Sequence, residues 1–547
     1  MNGYEAMAKI MKIEGIEGMA CYPSNPLIEA TAKEGIRPIL FRHERGGIMA
    51  ADGFSRQSRN HKYGAFCSQG GPGVENSMGG IAQAWADCVP IIYFPDGADR
   101  YKATVKPTFR APYNYQHISK FAEALTASGD IVYFARRAFH ALKNGRPGPV
   151  VIEMPRDVMT GEVTNLSGYE PAKRMVSQPS AGEVKDAVTH LLKAKKPAIW
   201  AGQGVLYANA MDELREFAEL TQIPIMTTME GKSAIDEEHP LCLGAGNRTA
   251  PKPVFVWLKE SDVLFAVGAS LTITNYGLQV PDGKFIIHNT NNPDDVNKDY
   301  KVQIGLLGDS KATLRAMIEE VKAQIGPQGR KKDTSVQEAV AQVRKEWMAE
   351  WSARLNSDLE PILPYRLVNE INKNLDRKNS VVTHDAGHPR DEIMPFYTAS
   401  VPGSYIGWGK TTHLGYGLPL MIGSKMANPN KFCLNFMGDG AFGMSGLDLE
   451  TSVRAGLPIT TVVLNNGTMG GYNKALPVAM EKYNVGNMTG DYAKIAEGLG
   501  AVGIKVSKVT EIGPALKKAQ QLNKEGKTVL LDVKTQQQMD FSIYPLK

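Results

Sequence analysis

A chain of 547 residues that is 43% hydrophobic and 22% charged has length for three or four domains and material for large cores. Its net charge of +5 comes from dispersed Lys and Arg, the longest basic run being Arg330-Lys331-Lys332, so no nucleic-acid stripe is indicated. There is no apolar signal core or membrane-length apolar run, and Cys21, Cys67, Cys88, Cys242 and Cys433 lack metal-ligand spacing; a cytoplasmic protein with reduced thiols is expected.

Residues 1–165 alternate helices and strands. A helix over Gly3–Glu14 leads to a strand at Gly18–Cys21, whose exit is Tyr22-Pro23-Ser24-Asn25-Pro26. A strand at Pro38–Phe41 runs into His43-Glu44 and a helix opening Arg45-Gly46-Gly47. Strand Gly64–Ser68 exits through Gln69-Gly70-Gly71-Pro72-Gly73 into a helix over Val74–Ala86, and strands follow at Pro90–Phe94 and Pro149–Ile152. Alternation of this kind predicts a doubly wound parallel sheet. Residues 166–183 are polar and proline-bearing, a linker. A second alternating unit spans 184–325, with the turn Gly202-Gln203-Gly204 after strand Pro197–Ala201; it lacks the third glycine of a dinucleotide loop, which favours a tight strand–helix turn. Residues 326–334 form another linker, and a helix over Val336–Leu355 carries Trp347 and Trp351 one turn apart, as packing residues. The third unit covers 360–535 and ends in a tail, 536–547, dotted with Met539, Phe541 and Tyr544. Such a tail can cap a pocket, pack on a neighbour or fray.

The most informative stretch is Phe432–Gly471. It reads as strand, Gly-Asp-Gly turn, helix, strand and Asn-Asn-Gly turn, a parallel crossover whose two turns share the carboxyl edge of one sheet. Asp439 and Asn466 therefore lie near each other where open α/β sheets bind ligands. A carboxylate, an amide oxygen and a backbone carbonyl just beyond Asn466 make a hard-oxygen set that Mg²⁺ accepts when phosphates complete its shell. Gly438, Gly440 and Gly443 also spell the G-x-G-x-x-G of a dinucleotide loop. Against that, Asp439 would face a pyrophosphate, and the second strand ends in Asn465-Asn466 where a ribose-binding acid is needed. A plain turn without ligand is the third reading. Glu44, directly after a strand and at a helix N-terminus, sets burial against the helix dipole, which suits a carboxyl that shares a proton with a bound base. By itself the segment favours a solvated residue that simply caps or begins the helix.

Four motifs together, RHERGGIMAADGFSR at 42–56, GRPGPVVIEMPRDV at 145–158, QIPIMTTMEGKSAIDEEHPL at 222–241 and GDGAFGMSGLDLETSVRAGLPITTVVLNNGTMG at 438–470, with SQGGPG at 68–73, resemble the thiamine-diphosphate (ThDP) enzymes. The resemblance is closest to the acetolactate synthase, pyruvate oxidase and 2-oxo acid decarboxylase group and covers the chain from Tyr4 to about Asp532. It implies three doubly wound α/β domains with mainly parallel sheets, in the order pyrimidine-binding (1–165), central (184–325) and diphosphate-binding (360–535). It implies that Asp439, Asn466 and the backbone oxygen of Thr468 hold Mg²⁺. Gly387, His388, Gly440, Ala441 and Met469 would line the cofactor's diphosphate side, Leu414 would be the apolar support for its bent shape, and Pro23, Gly70 and Asn76 would meet it from the first domain. Glu44 would hydrogen-bond the aminopyrimidine and so help remove the thiazolium C2 proton. In the group, the Glu44 and Asp439 halves come from different subunits, which implies a homodimer or homotetramer with sites at the interface.

Departures from the group's pattern bear on the substrate. Arg45 stands where acetolactate synthases usually carry Gln, and Lys410-Thr411-Thr412-His413-Leu414 replaces a Gly-Leu-Gly-Thr-Met run. Lys410 and His413 could bring cationic or proton-shuttling groups to the cofactor, or face solvent and backbone. Gln116 stands near the Gln that related carboligases present to substrate, and the flavin-associated Arg is missing from Gly268–Thr274, so FAD is not expected, though the central domain leaves it open. The expected catalytic set is Glu44, Gln116 and His413. The expected reaction is decarboxylation of a 2-oxo acid with transfer to a carbonyl acceptor. Alternatives are a 2-hydroxyacyl-thioester lyase, an acyl-phosphate-forming transferase, or a ThDP-binding homologue with little catalysis.

Overall fold

In the computed structural model, which describes residues 1–546, the alternating apolar strands and helices resolve into three six-stranded sheets. The first holds β1 (Gly18–Tyr22), β2 (Arg37–Leu40), β3 (Gly64–Ser68), β4 (Ile91–Gly97), β5 (Phe121–Ala124) and β6 (Val150–Pro155), in the order β2-β1-β3-β4-β6-β5. The second holds β7 (Ala198–Ala201), β8 (Ile225–Thr228), β9 (Cys242–Gly246), β10 (Val263–Val267), β11 (Phe285–Thr290) and β12 (Ile304–Leu307), ordered β12-β11-β10-β7-β8-β9. The third holds β13 (Ser380–His384), β14 (Tyr405–Ile406), β15 (Phe432–Gly438), β16 (Thr460–Asn465), β17 (Val502–Val506) and β18 (Val529–Lys534), ordered β14-β13-β15-β16-β18-β17. The strand pairs within all three are parallel, because each helical crossover returns the chain to the same sheet edge.

The first and third sheets have the same topology, strand for strand. The helix Glu44–Gln57 after β2 and the helix Gly417–Ala427 after β14 are therefore equivalents, and they pack on each other. Their apolar residues Ile48, Met49, Leu418, Met421 and Ile422 belong to one buried cluster shared by the two domains. Trp347 and Trp351 are buried as packing residues: Trp347 stacks on Phe396 at 4.9 Å and Trp351 meets Tyr365 edge-on at 4.9 Å. No helix among the described residues is long and apolar enough to cross a membrane.

Candidate active site

The carboxyl edge of the third sheet gathers, from three adjacent strands, the residues expected on the diphosphate side. Gly387 and His388 follow β13, Asp439 and Gly440 follow β15, and Asn466, Thr468 and Met469 follow β16. Gly387 sits at φ +84°, a conformation that a side chain would strain, as the N-cap of the helix His388–Phe396. Asp439 is 3% exposed. Its Oδ1 accepts from the backbone N–H of Gly440 at 2.9 Å, and its Oδ2 accepts from Gly467 N–H at 2.9 Å, so the two turns are tied through this one carboxylate. Asn466 Oδ1 accepts from Thr468 N–H at 3.1 Å. Met469 covers the turn: a Cβ on Gly440 would lie 2.8 Å from its Sδ.

These residues fit a metal-bound diphosphate. Burial pushes the Asp439 carboxyl up, opposed by the two backbone N–H donors, and among the described residues no Lys or Arg lies within ion-pair distance of it. A cation beside it would relieve that cost. The described residues contain no group of three or more His, Cys, Asp or Glu that could cage a metal alone, which leaves an oxygen set needing phosphate to complete it.

The first sheet carries the second group of expected site residues at its own carboxyl edge. Glu44 opens its helix, is 2% exposed, and accepts at Oε2 from Asn76 Nδ2 at 3.1 Å; His43 Nδ1 stands 3.8 Å from the same oxygen. Pro23 and Gly70 lie on the exits of β1 and β3. Asn25 ties these exits together by donating to Ser68 O at 2.8 Å and Phe94 O at 3.2 Å. The residues beside Glu44 reach the third domain of the same chain. Arg42 N–H donates to Asp448 Oδ1 at 2.9 Å, and Arg45 donates to Met444 O at 3.0 Å and lies 3.1 Å from His413 Nε2.

That contact defines the His413 tautomer. With a guanidinium donating to Nε2, the ring proton belongs on Nδ1, which is 3.2 Å from Gly79 O and donates to it. Desolvation and the neighbouring Arg45 charge hold the imidazole below its ordinary value, so it is neutral. His413 thus bridges two domains with both ring nitrogens engaged. Lys410 turns the other way: its Nζ donates to Ser270 Oγ at 3.1 Å in the central domain and not toward the cofactor residues. Gln116 is exposed and donates to Tyr113 O at 3.3 Å; no hydrogen bond among the described residues joins it to the Glu44 group.

Leu414 is held by a residue that the sequence reading left without a role. Asp385 is fully buried after β13 and accepts from Ala386 N–H at 2.8 Å and Gly415 N–H at 2.9 Å on Oδ1, and from Gly417 N–H at 2.8 Å on Oδ2. Burial pushes its carboxyl up to about 6 against those donors. The native state therefore keeps this proton until near pH 6 while the unfolded chain releases it near 4. Its contribution to stability falls as pH rises through that window. Asp385→Asn is expected to flatten this part of the pH–stability curve in thermal scans. It should also weaken cofactor binding severalfold in a titration, because an amide nitrogen cannot accept from Gly415 or Gly417. Its one signal in the sequence was an Asp at a strand exit.

The tail docks. Ser542 Oγ donates to Ala250 O at 2.7 Å and accepts from Trp347 Nε1 at 3.0 Å, and Phe541 meets the His388 ring edge-on at 5.0 Å. A separate cavity of about 160 Å³ opens at the carboxyl edge of the central sheet, lined in part by Cys88, Arg146, Gly268, Ser270 and Lys410. In the turn after β7, Gly202 N–H donates to Val267 O at 2.9 Å and Gly204 N–H to Gly268 O at 2.8 Å, so these amides are used in packing.

Three domain families match the chain in order: thiamine pyrophosphate enzyme, N-terminal TPP binding domain, over residues 1–118; the central domain over 184–317; and the C-terminal TPP binding domain over 385–533. Among similar proteins, a probable acetolactate synthase large subunit of Methanococcus aeolicus is 30% identical, over 95% of this chain and 90% of its own. The acetolactate synthase large subunit of Corynebacterium glutamicum is 28% identical over 96% of this chain and 85% of its own. A glyoxylate carboligase of Escherichia coli O157:H7 is 28% identical over 95% and 91%.

Proposed function

The chain belongs to the thiamine pyrophosphate enzymes, and within that family we propose that it is a ThDP- and Mg²⁺-dependent carboligase that decarboxylates a 2-oxo acid and joins the remaining acyl unit to a carbonyl acceptor. The observation that supports this reading is that one chain carries both a buried Asp439 tying two glycine turns without a Lys or Arg in ion-pair distance and a buried Glu44 held by Asn76. Asp439, Asn466 and the Thr468 carbonyl would hold Mg²⁺, and Gly387, His388, Gly440 and Ala441 would line the diphosphate. When bound, ThDP supplies a carbanion-stabilising thiazolium. The chain's part is to hold the proton shared with Glu44, to support the cofactor at Leu414, and to exclude water under Met469 and Phe541.

The relatives named as acetolactate synthases and as a glyoxylate carboligase support carbon–carbon bond formation over simple decarboxylation. The test is calorimetric titration of cofactor-stripped protein. ThDP should bind tightly with Mg²⁺ and at least tenfold more weakly without it, and Asp439→Asn should remove the Mg²⁺ effect. Tight binding indifferent to Mg²⁺ would sink the metal-site assignment. A panel of 2-oxo acids with and without aldehyde or ketone acceptors, scored for CO₂ and ligated product, then identifies the substrate; CO₂ release without any ligated product overturns the carboligase reading. No flavin is part of this proposal: the absent Arg in 268–274 and the committed Gly202 and Gly204 amides support that, and a flavin absorption band in the purified protein would overturn it.

A homodimeric or homotetrameric assembly with sites shared between subunits is proposed from the resemblance. Mixing inactive Glu44→Gln and Asp439→Asn chains under conditions that exchange subunits should restore about a quarter of wild-type activity if sites are shared. If each chain builds its own site, the mixture stays inactive.

A further inference from the structure

Cys88 differs from the other four cysteines in its exposure and in having a guanidinium against its sulfur. Cys21, Cys67, Cys242 and Cys433 are buried, at 0–2% exposure, and burial pushes all four thiols upward, to about 12 for Cys21 and Cys242 and about 11 for Cys433. Cys88 is half-buried and lines the central-domain cavity. It occupies the turn that ends the helix Pro72–Ala86 at φ +58°, a left-handed position where a cysteine has no conformational advantage. Arg146 Nε–H donates to its Sγ at 3.1 Å, placing a guanidinium where it can accompany charge on the sulfur.

The same cavity shows independent signs of being built for a polar guest. Asn247, 1% exposed, has neither its amide nitrogen nor its amide oxygen partnered, and Asn60 Oδ1 and Trp200 Nε1, on residues 5% and 6% exposed, are also without a partner; all three residues line it. Buried polar atoms left unmatched are costly, and a ligand that satisfies them recovers that cost.

The residue before the thiol connects the cavity to the cofactor segment. Asp87 is fully buried; its Oδ2 accepts from Arg56 Nη2 at 2.8 Å and Gly409 N–H at 2.8 Å, and its Oδ1 accepts from Lys410 N–H at 2.9 Å. Lys410 then reaches into the cavity to Ser270. A group attached at Cys88 therefore competes for the space of Lys410, the first cation of the segment that ends in His413 and Leu414.

We propose that Cys88 is a reversible modification site that takes low-molecular-weight disulfides entering the central cavity, and that the adduct loosens the Gly409–Leu414 segment. In the exchange, the Cys88 sulfur attacks one sulfur of the incoming disulfide. The incoming S–S bond breaks, a new S–S bond forms to Cys88, and the other half leaves as a thiolate that takes up the displaced proton from solvent. No net oxidant beyond the disulfide is needed, and a reducing thiol reverses the step. The link to cofactor control rests on the proposed ThDP site; the modification and the loosening do not.

The experiment treats the cofactor-loaded protein with oxidised glutathione and follows intact mass, peptide mapping and amide hydrogen exchange. One glutathionyl adduct per chain is expected, on Cys88, with the other four cysteines reacting only after denaturation. Exchange at the Gly409 and Lys410 amides should speed by about tenfold or more, and dithiothreitol should restore it. Cys88→Ser should form no adduct and show no change in exchange on treatment. An unmodified Cys88, a first adduct on another cysteine, or unchanged exchange at Gly409 and Lys410 in the modified protein would each overturn the proposal. So would faster exchange in treated Cys88→Ser. A cofactor titration on the same samples separates the two ideas: protein that never binds ThDP defeats the proposed function and leaves the Cys88 result standing by itself.

Discussion

Glu44→Gln is expected to keep the fold and most of the cofactor affinity while slowing turnover by about 10²–10⁴-fold, the range removed with a positioned acid–base group. The substitution is nearly isosteric, and the glutamine carbonyl can still accept from Asn76 Nδ2, which now donates to Glu44 at 3.1 Å. What disappears is the ability to hold a proton between the side chain and a bound base. Since Glu44 is 2% exposed, water cannot substitute for it at the same place. The direct readout is deuterium exchange at C2 of the bound cofactor, which should slow in parallel with turnover. Unchanged exchange would falsify the role given to Glu44. Asn76→Ala provides the calibration: it leaves the carboxyl present but unheld, so the loss should be smaller, nearer tenfold, with exchange still detectable. A comparable melting temperature for both variants separates these effects from unfolding.

That Asp439 and Asn466 come together at one sheet edge was legible in the sequence because it follows from strand order. A parallel crossover obliges Asp439 and Asn466 to share an edge, and the Asp439 carboxylate does join the two turns. Contacts among the three domains were not legible. Lys410 and His413 stand three residues apart in one segment, yet Ser270 draws Lys410 to the central domain while Arg45 and Gly79 hold His413 at the first. Nothing in local spacing encodes that divergence. The role of Asp385, which fastens Leu414 through Gly415 and Gly417, was hidden for the same reason: beyond its place at a strand exit nothing marked it, and its partners lie 30 and 32 residues away.

Secondary structure failed in a patterned way. The strands recognised were continuous apolar runs in sheet interiors, such as β3, β7 and β15, with β2 the single edge strand among them. The other five edge strands, β5, β9, β12, β14 and β17, were missed, together with β8. Edge strands need only one protected side, so Phe121–Ala124 and Val502–Val506 are largely half-exposed and carry Glu123 and Lys505. β14 is two residues long, and β9 is interrupted by Gly244 and Gly246. Short β8 ends in two threonines, Thr227-Thr228. None of these presents the apolar period that marks a strand.

The crossing of the two equivalent helices should be among the least tolerant places in the chain. A Cβ on Gly423 would stand 1.8 Å from Ala50 O, and one on Gly53 would stand 2.0 Å from Leu420 O. Both obstacles are helix backbone, which cannot rotate aside as a side chain would. To accept a methyl group, the helices Glu44–Gln57 and Gly417–Ala427 would have to move apart by more than an ångström, opening the cluster of Ile48, Met49, Leu418 and Ile422 between them. Gly423→Ala is therefore expected to destabilise the protein by about 3 kcal/mol, at the upper end for overpacking. Gly53→Ala should match it, since it strikes the same seam from the other side. Because Glu44 begins one of these helices, cofactor affinity should fall with stability in both variants. Gly182→Ala is the control. Gly182 lies in the exposed first turn of the helix Ala181–Lys193 with no atom near its added methyl, so alanine there should be neutral or stabilise by up to about 1 kcal/mol. Denaturant melts and cofactor titrations of the three variants together decide the matter. If Gly423→Ala and Gly53→Ala melt like Gly182→Ala, the two helices do not touch as described. If they melt early yet bind cofactor normally, the crossing supports the fold without positioning Glu44.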